Sequence, residues 1–265
     1  MAVTAYCRGV GIPIYFELLD NKSGNSSTQD RSNLLEKCIA LLGTERIECV
    51  IGDREFIGEK FYKYLIINKL AFYISVRKNQ YFIVNGVKLR AENLLKNRNY
   101  CQIDNVKFAD FYLSVAMKKV KDKNGNDDFL IVITNTFAYQ ALKNYRFRWS
   151  IEVFFQSIKT RGFQLESSHL TILERIKKLF AFVAIAFALC LSVGIENHEK
   201  VQKIKIKKHR YKVKSFFRNG LDIIRDLFRK SDQQLFYEFD NLISKFMRLI
   251  RIQLARYQLF IKIVG

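Results

Sequence analysis

Acidic residues are scarce in this chain: 25 Asp and Glu stand against 45 Lys and Arg, a formal net charge of +20. That excess goes beyond what solubility needs. It calls for a polyanionic partner. Nucleic acid is the first choice, because each phosphate contact releases counterions; an anionic membrane surface is the rival. Proline is nearly absent, Pro13 being the only one, so no proline-rich linker divides the chain. Cys-x-x-Cys is missing, and none of His169, His198 and His209 stands at ligand spacing beside the five scattered cysteines. This excludes a zinc site and leaves the histidines surface or capping roles. The odd cysteine count, without a charged, apolar and then cleavable start, predicts a reducing cytoplasm. Neither a repeat nor a low-complexity tail is present. One long uncharged run, Leu179 to Ile195, falls short of a comfortable membrane span. Its alanines at 181, 184, 186 and 188 among Phe180, Phe182 and Phe187 predict a helix packed on all sides in a soluble core, not a membrane segment.

What is present can fill a sizeable core: 265 residues, 49% of them hydrophobic. Residues 2 to 19 read as two strands around Gly9-Val10-Gly11. Ser27 or Thr28 can cap a helix carrying Leu34, Leu35, Ile39 and Leu42, which Gly43 ends. A short buried strand, Ile47 to Gly52, delivers Asp53 at its carboxyl end, followed by a helix through Phe61, Leu65 and Leu70 and a strand from Ala71 to Val76. The boundaries fall at 1–77 for a first α/β part, 78–135 for a β-rich insertion, 136–198 for a second, helical part and 199–265 for a basic helical C-terminal region. The basic run Lys200 to Lys214 could grip DNA or form a solvated loop.

The strongest chemical signal lies near residue 150. On a wheel of about 100° per residue, Arg148, Glu152 and Lys159 fall at roughly −60°, −20° and −40° from Tyr145. A phenol, a guanidinium, a carboxylate and an ammonium thus share one face, beside an apolar arc of Phe147, Ile151, Phe154, Phe155 and Ile158. Such a stripe suits a salt-bridged solvated face. It equally suits a phosphate-processing site, where the acid holds a hard metal ion and the cations grip the backbone.

The run Tyr145-Arg-Phe-Arg148-Trp-Ser-Ile-Glu152-Val-Phe-Phe-Gln-Ser-Ile-Lys159 resembles the YREK signature of bacterial insertion-sequence transposases of the insertion-sequence-four type, in the DDE superfamily. Arg161-Gly-Phe163, Ile51-Gly-Asp53-Arg-Glu-Phe56 and the turn Ser23-Gly-Asn-Ser26 are similar to further motifs of that family. The resemblance covers about residues 1 to 195. It implies a ribonuclease-H-like α/β fold with a β-rich insertion before the helix of the catalytic glutamate and an α-helical C-terminal part. It makes Asp53 and Glu152 the second and third catalytic, metal-holding carboxylates of a two-Mg²⁺ site for DNA cleavage and strand transfer. Tyr145, Arg148 and Lys159 then bind the phosphates of transposon terminal inverted repeats. Trp149 either stacks on an unpaired base or, the more ordinary fate, sits in the core. The implied setting is the bacterial cytoplasm at the nucleoid, with a homodimer in the synaptic complex.

One part of the family pattern is not met. The family's first aspartate sits on a strand in the middle of the sheet, between the second strand and the one ending at Asp53. Here no aspartate precedes Asp20. An N-terminally truncated copy is therefore expected, inactive alone, with the first strand missing and open edges left in the sheet. A noncatalytic DNA-binding remnant and a metal-dependent nuclease of the same fold are the alternatives.

Overall fold

The computed structural model describes residues 1–18, 26–95, 98–160, 162–208, 210–229, 233, 237–247 and 261–264. Asp20, the turn at Ser23, Arg161, His209 and residues 248–260 lie outside the described residues. The chain divides into two compact units, one of residues 1–153 with 260–265 and one of residues 154–259.

The first unit is built on a ten-stranded sheet. Strands β1 (Ala2–Cys7) and β2 (Val10–Phe16) form a hairpin. Its turn is Arg8-Gly9, one residue earlier than expected, with both φ values positive at 48° and 92°. Two left-handed central residues give the turn twist that matches paired strands. Helix α1 (Thr28–Leu42) opens with a capping box: Asp30 N donates to Ser27 Oγ at 3.1 Å and Ser27 N to Asp30 Oδ2 at 2.8 Å. It stops at Gly43, where φ is 80°. β3 (Ile47–Gly52), α2 (Glu59–Ile67) and β4 (Phe72–Val76) follow, the two strands running parallel.

Residues 78–135 hold β5 (Tyr81–Val84), β6 (Val87–Arg90), α3 (Ala91–Leu95), β7 (Tyr100–Phe108), β8 (Phe111–Lys121) and β9 (Asp127–Thr134). This β-rich stretch continues the same sheet, because β9 pairs antiparallel with β4. The order is β2-β1-β10-β3-β4-β9-β8-β7-β5-β6, where β10 is Ile261–Val264.

β10 corrects two expectations. The C-terminal region is not purely helical, and the place between β1 and β3 is not an open gap. β10 runs antiparallel to β1 and parallel to β3, with Thr4 opposite Val264 and Ile51 level with Val264. Backbone donors and acceptors of two neighbouring strands need partners, and a segment of the same chain supplies them.

β4 is buried throughout, so its two faces serve different layers. Phe72, Ile74 and Val76 join a core with Leu34, Leu35 and Cys38 of α1 and Phe61, Tyr62 and Leu65 of α2. On the other face lies α4 (Ala138–Tyr145), where the Tyr73 hydroxyl donates to Gln140 Oε1 at 3.1 Å. The single helical face expected from Tyr145 to Lys159 is interrupted. A 3-10 turn at Arg146–Arg148 separates α4 from α5 (Trp149–Lys159).

In the second unit, α6 (Leu173–Lys200) packs on α7 (Phe216–Leu227). The helices cross at Gly194 and Gly220: a Cβ on Gly194 would lie 1.8 Å from the Phe216 carbonyl oxygen. Phe187 stacks on Phe217 with ring centroids 4.9 Å apart. The expectation that α6 is packed on all sides fails. Phe180, Val183, Phe187, Cys190, Leu191 and Gly194 are buried, while Phe182 and Ile185 are exposed. By length and composition α6 is long and apolar enough to cross a membrane, with 33% of its most apolar window buried. Beyond α6 the basic run folds into a ribbon, Lys207 N donating to the Tyr211 oxygen at 2.7 Å and Val213 N to that of Lys205 at 2.9 Å. His198 has a capping role: its Nδ1 accepts from Ile204 N at 2.8 Å.

Candidate nucleic-acid interface around Asp53

The sheet's two-residue period decides what surrounds Asp53. Ile51 is level with Tyr73, and level residues of parallel strands share a face. Two residues beyond Ile51, Asp53 comes to the face of Tyr73 and Ser75, over which α4 ends. Gly52 is required before it, since a Cβ there would lie 2.8 Å from that of Phe56. The chain turns sharply after the strand: Phe56 N donates to the Asp53 carbonyl at 3.1 Å and Glu55 N to Asp53 Oδ1 at 2.9 Å.

Arg31 holds this turn from below. It is 8% exposed and sits on the inward row Arg31, Leu34, Leu35, Cys38 of α1. Its Nη2 donates to the Ser26 carbonyl at 2.8 Å and its Nε to that of Ser27 at 3.2 Å, while Nη1 reaches the carbonyls of Glu55 and Ile57. Its guanidinium also lies 5.7 Å from the Phe56 ring centre. Burial lowers its pKa, with Glu55 the strongest opposing influence. Sequence reasoning missed Arg31. A lone cation at apolar helical spacing was the available signal.

Tyr145, at the end of α4, is buried and hydrogen-bonded to the Ser75 side chain. Burial pushes its phenol pKa up, against the pull of Arg148 and of that hydrogen bond. Arg148 Nη1 lies 3.0 Å from Glu152 Oε1, an ion pair one helical turn apart. Lys159 belongs to the second unit and pairs with Glu166 at 3.1 Å. A single 100° wheel does not describe these residues, because the 3-10 turn intervenes between Tyr145 and Glu152. Trp149 is 59% exposed, which overturns a core position and leaves an aromatic face open to a ligand.

Asp53, Tyr145, Arg148 and Trp149 line one cleft of about 820 Å³. Arg54, Arg77 and Lys121 line it too, three cations the sequence did not single out. Arg54 is positioned by the Phe129 carbonyl at 3.0 Å and Asp128 at 3.5 Å, and Lys121 pairs with Asp127 at 2.6 Å. A cationic cleft with an exposed indole at its edge can hold a phosphate backbone and stack a base.

Metal binding is a separate matter. Asp53 and Glu152 are the two candidate ligands. One oxygen of each already has a partner, Glu55 N and Arg148, and among the described residues no group of three or more His, Cys, Asp or Glu could hold an ion. Asp53 and Glu152 each keep a second carboxylate oxygen, and a third acid is not brought to them among the described residues.

A family model described as transposase DDE domain matches residues 2–189. No curated protein matches the chain.

Proposed function

Because the chain belongs to the family of transposase DDE domains, we propose that it engages transposon-end DNA through the cleft around Asp53 as a member of the YREK-bearing insertion-sequence branch. Transposase function and a DNA substrate follow from the family; the terminal repeats, the pairing of two copies and action at the bacterial nucleoid belong to the proposal. The observation that carries it is the cationic cleft joining Asp53 to Tyr145, Arg148 and exposed Trp149.

In this reading Arg148, together with Arg54, Arg77 and Lys121, neutralises backbone phosphates. Tyr145 fixes the end of α4 against Ser75, and Trp149 offers its ring to an unpaired base. Lys159, in the second unit, is read as a phosphate contact of its own. The fold is read as ribonuclease-H-like, with β10 in the place that the family gives to its first strand.

The family normally uses a divalent ion, Mg²⁺, which activates water or a 3′-hydroxyl for attack on a phosphodiester. In this reading Asp53 and Glu152 are two of the three acids such chemistry needs. DNA binding without cleavage is the expected behaviour of these 265 residues, which also favours the DNA-binding alternative over a nuclease.

The test is strand cleavage and end joining on terminal-repeat DNA with Mg²⁺ or Mn²⁺, comparing this chain with one extended upstream by an aspartate-bearing strand. Activity confined to the extended chain, and abolished by Glu152→Gln, supports the proposal. Cleavage by the present chain overturns the two-carboxylate reading.

A further inference from the structure

The basic ribbon after α6 lies outside the Asp53 cleft and has a composition of its own. From Lys200 to Leu221 the chain carries nine Lys and Arg and no Asp or Glu. Several of these cations have intramolecular partners: Lys200 pairs with Glu196, Lys214 and Arg218 with Asp222, and Lys212 lies over the Phe216 ring. All of those but Lys212 sit at the base of the ribbon, and Lys212 is on the strand opposite Ile206. Lys205, Lys207, Lys208 and Arg210 are exposed, and no acidic side chain stands near them in sequence.

The ribbon is built to present these cations. Its base is anchored: Ile204 is buried, its N–H donates to His198, and the His198 ring lies 5.2 Å from that of Phe216. Above that, Ile206 bridges Lys212 in antiparallel register, flanked by the bonds joining Lys205 to Val213 and Lys207 to Tyr211. Directly paired residues share a face and successive ones alternate. One face therefore carries Lys205, Lys207, Tyr211 and Val213, with Lys208 and Arg210 in the connecting turn. Tyr211 is 75% exposed. Lys205 and Lys207 are about 6.6 Å apart along the strand, close to two 3.4 Å steps of one strand of duplex DNA. A two-stranded ribbon is also of a size that the major groove admits.

We propose that the ribbon Lys205–Val213 is a second DNA contact, binding duplex phosphates independently of sequence through Lys205, Lys207, Lys208 and Arg210. It deepens the transposase reading but does not depend on cleavage, or on any acid at the Asp53 cleft. Phosphate contacts position a protein on the duplex without reading bases. The ribbon adds such contacts beyond those of the cleft.

The experiment is fluorescence anisotropy of the full chain with labelled duplexes of several sequences across a salt series. The variant replaces Lys205, Lys207, Lys208 and Arg210 by Gln; a second replaces the three lysines by Arg. The expected result is a slope of log affinity against log salt reduced by about 3 to 4 in the Gln variant, near 0.9 for each phosphate no longer neutralised. Affinity falls equally for all sequences, with melting unchanged and the Arg variant close to the parent. Unchanged slope and affinity in a variant that melts like the parent overturn the proposal. So does a variant that keeps DNA binding but loses binding to phosphatidylserine vesicles, since the ribbon then serves a membrane. If the fourfold variant does not fold, Lys207→Gln alone is expected to lower the slope by about 1, and an unchanged slope there equally overturns the proposal. Failure of the transposase reading is separately visible, as absent cleavage by the extended chain with the ribbon's salt effect intact.

Discussion

Two arginines near Asp53 have opposite fates. Arg31 is turned inward, its guanidinium shared among backbone carbonyls of the α1 cap and the loop after Asp53. Arg148 is turned toward the cleft, paired with one carboxylate and with a share of its surface open. The difference lies in what each side chain meets. A guanidinium has five donors in a fixed fork, and where carbonyls converge on that fork it becomes part of the scaffold. Where only one acid meets it, donors remain for a ligand. The cleft is thus a displayed cation standing beside a turn that a second cation has made rigid.

The comparison breaks first at Arg31. Arg31→Ala removes the side-chain donors that tie the carbonyls of Ser26, Glu55 and Ile57 together and is expected to cost about 2–3 kcal/mol of unfolding free energy, with faster amide exchange at residues 53–57. A loss below about 1 kcal/mol in urea unfolding would mean the loop stands without this brace. Gly52→Ala tests the same turn from the other side. Crowding against Phe56 predicts a loss of about 1–3 kcal/mol, read by the same denaturation. Arg148→Ala should change stability by less than about 1 kcal/mol, because the pair is partly exposed. It should nonetheless weaken DNA binding and lower the salt slope by about 0.9; an Arg148 variant that loses stability instead would erase the contrast. The smallest effect concerns thiols. Burial pushes Cys38 up to about 11 and Cys190 up to about 12, so at pH 8 both remain protonated, and thiolate gained only as pH rises through those values permits alkylation. Cys7 is less buried. Mass spectrometry after brief iodoacetamide treatment is expected to find Cys7 modified first.

Local chemistry made much of the first unit legible. Ser27 or Thr28 at the start and Gly43 at the end mark both ends of α1, and the apolar run Ile47–Gly52 with its terminal Asp53 identifies β3. What was not legible depended on distant partners. Arg31 is an ordinary polar residue until the loop after Asp53 packs over it. The 3-10 turn at Arg146–Arg148 has no glycine or proline to announce it; Tyr145 is fixed by Ser75, and Phe147 packs on Tyr6 with ring centroids 4.4 Å apart. Those contacts reset the helix phase between Tyr145 and Glu152. Trp149 follows that turn and emerges at the surface, although a large aromatic is ordinarily buried. β10 is four residues long, too short for periodicity to separate strand from helix, and its partners lie some 200 residues or more away in sequence.

That last pairing bears on biosynthesis. β1 and β3 leave the ribosome early, yet the strand that joins them comes only once Val264 has been made. Until then their facing backbone groups lack the partner that completes the sheet, and contacts so distant in sequence form slowly. The nascent chain therefore passes through a long interval in which its central edges can recruit other strands or a chaperone. A chain in which Ile261–Val264 has not yet been made would carry those edges unpaired.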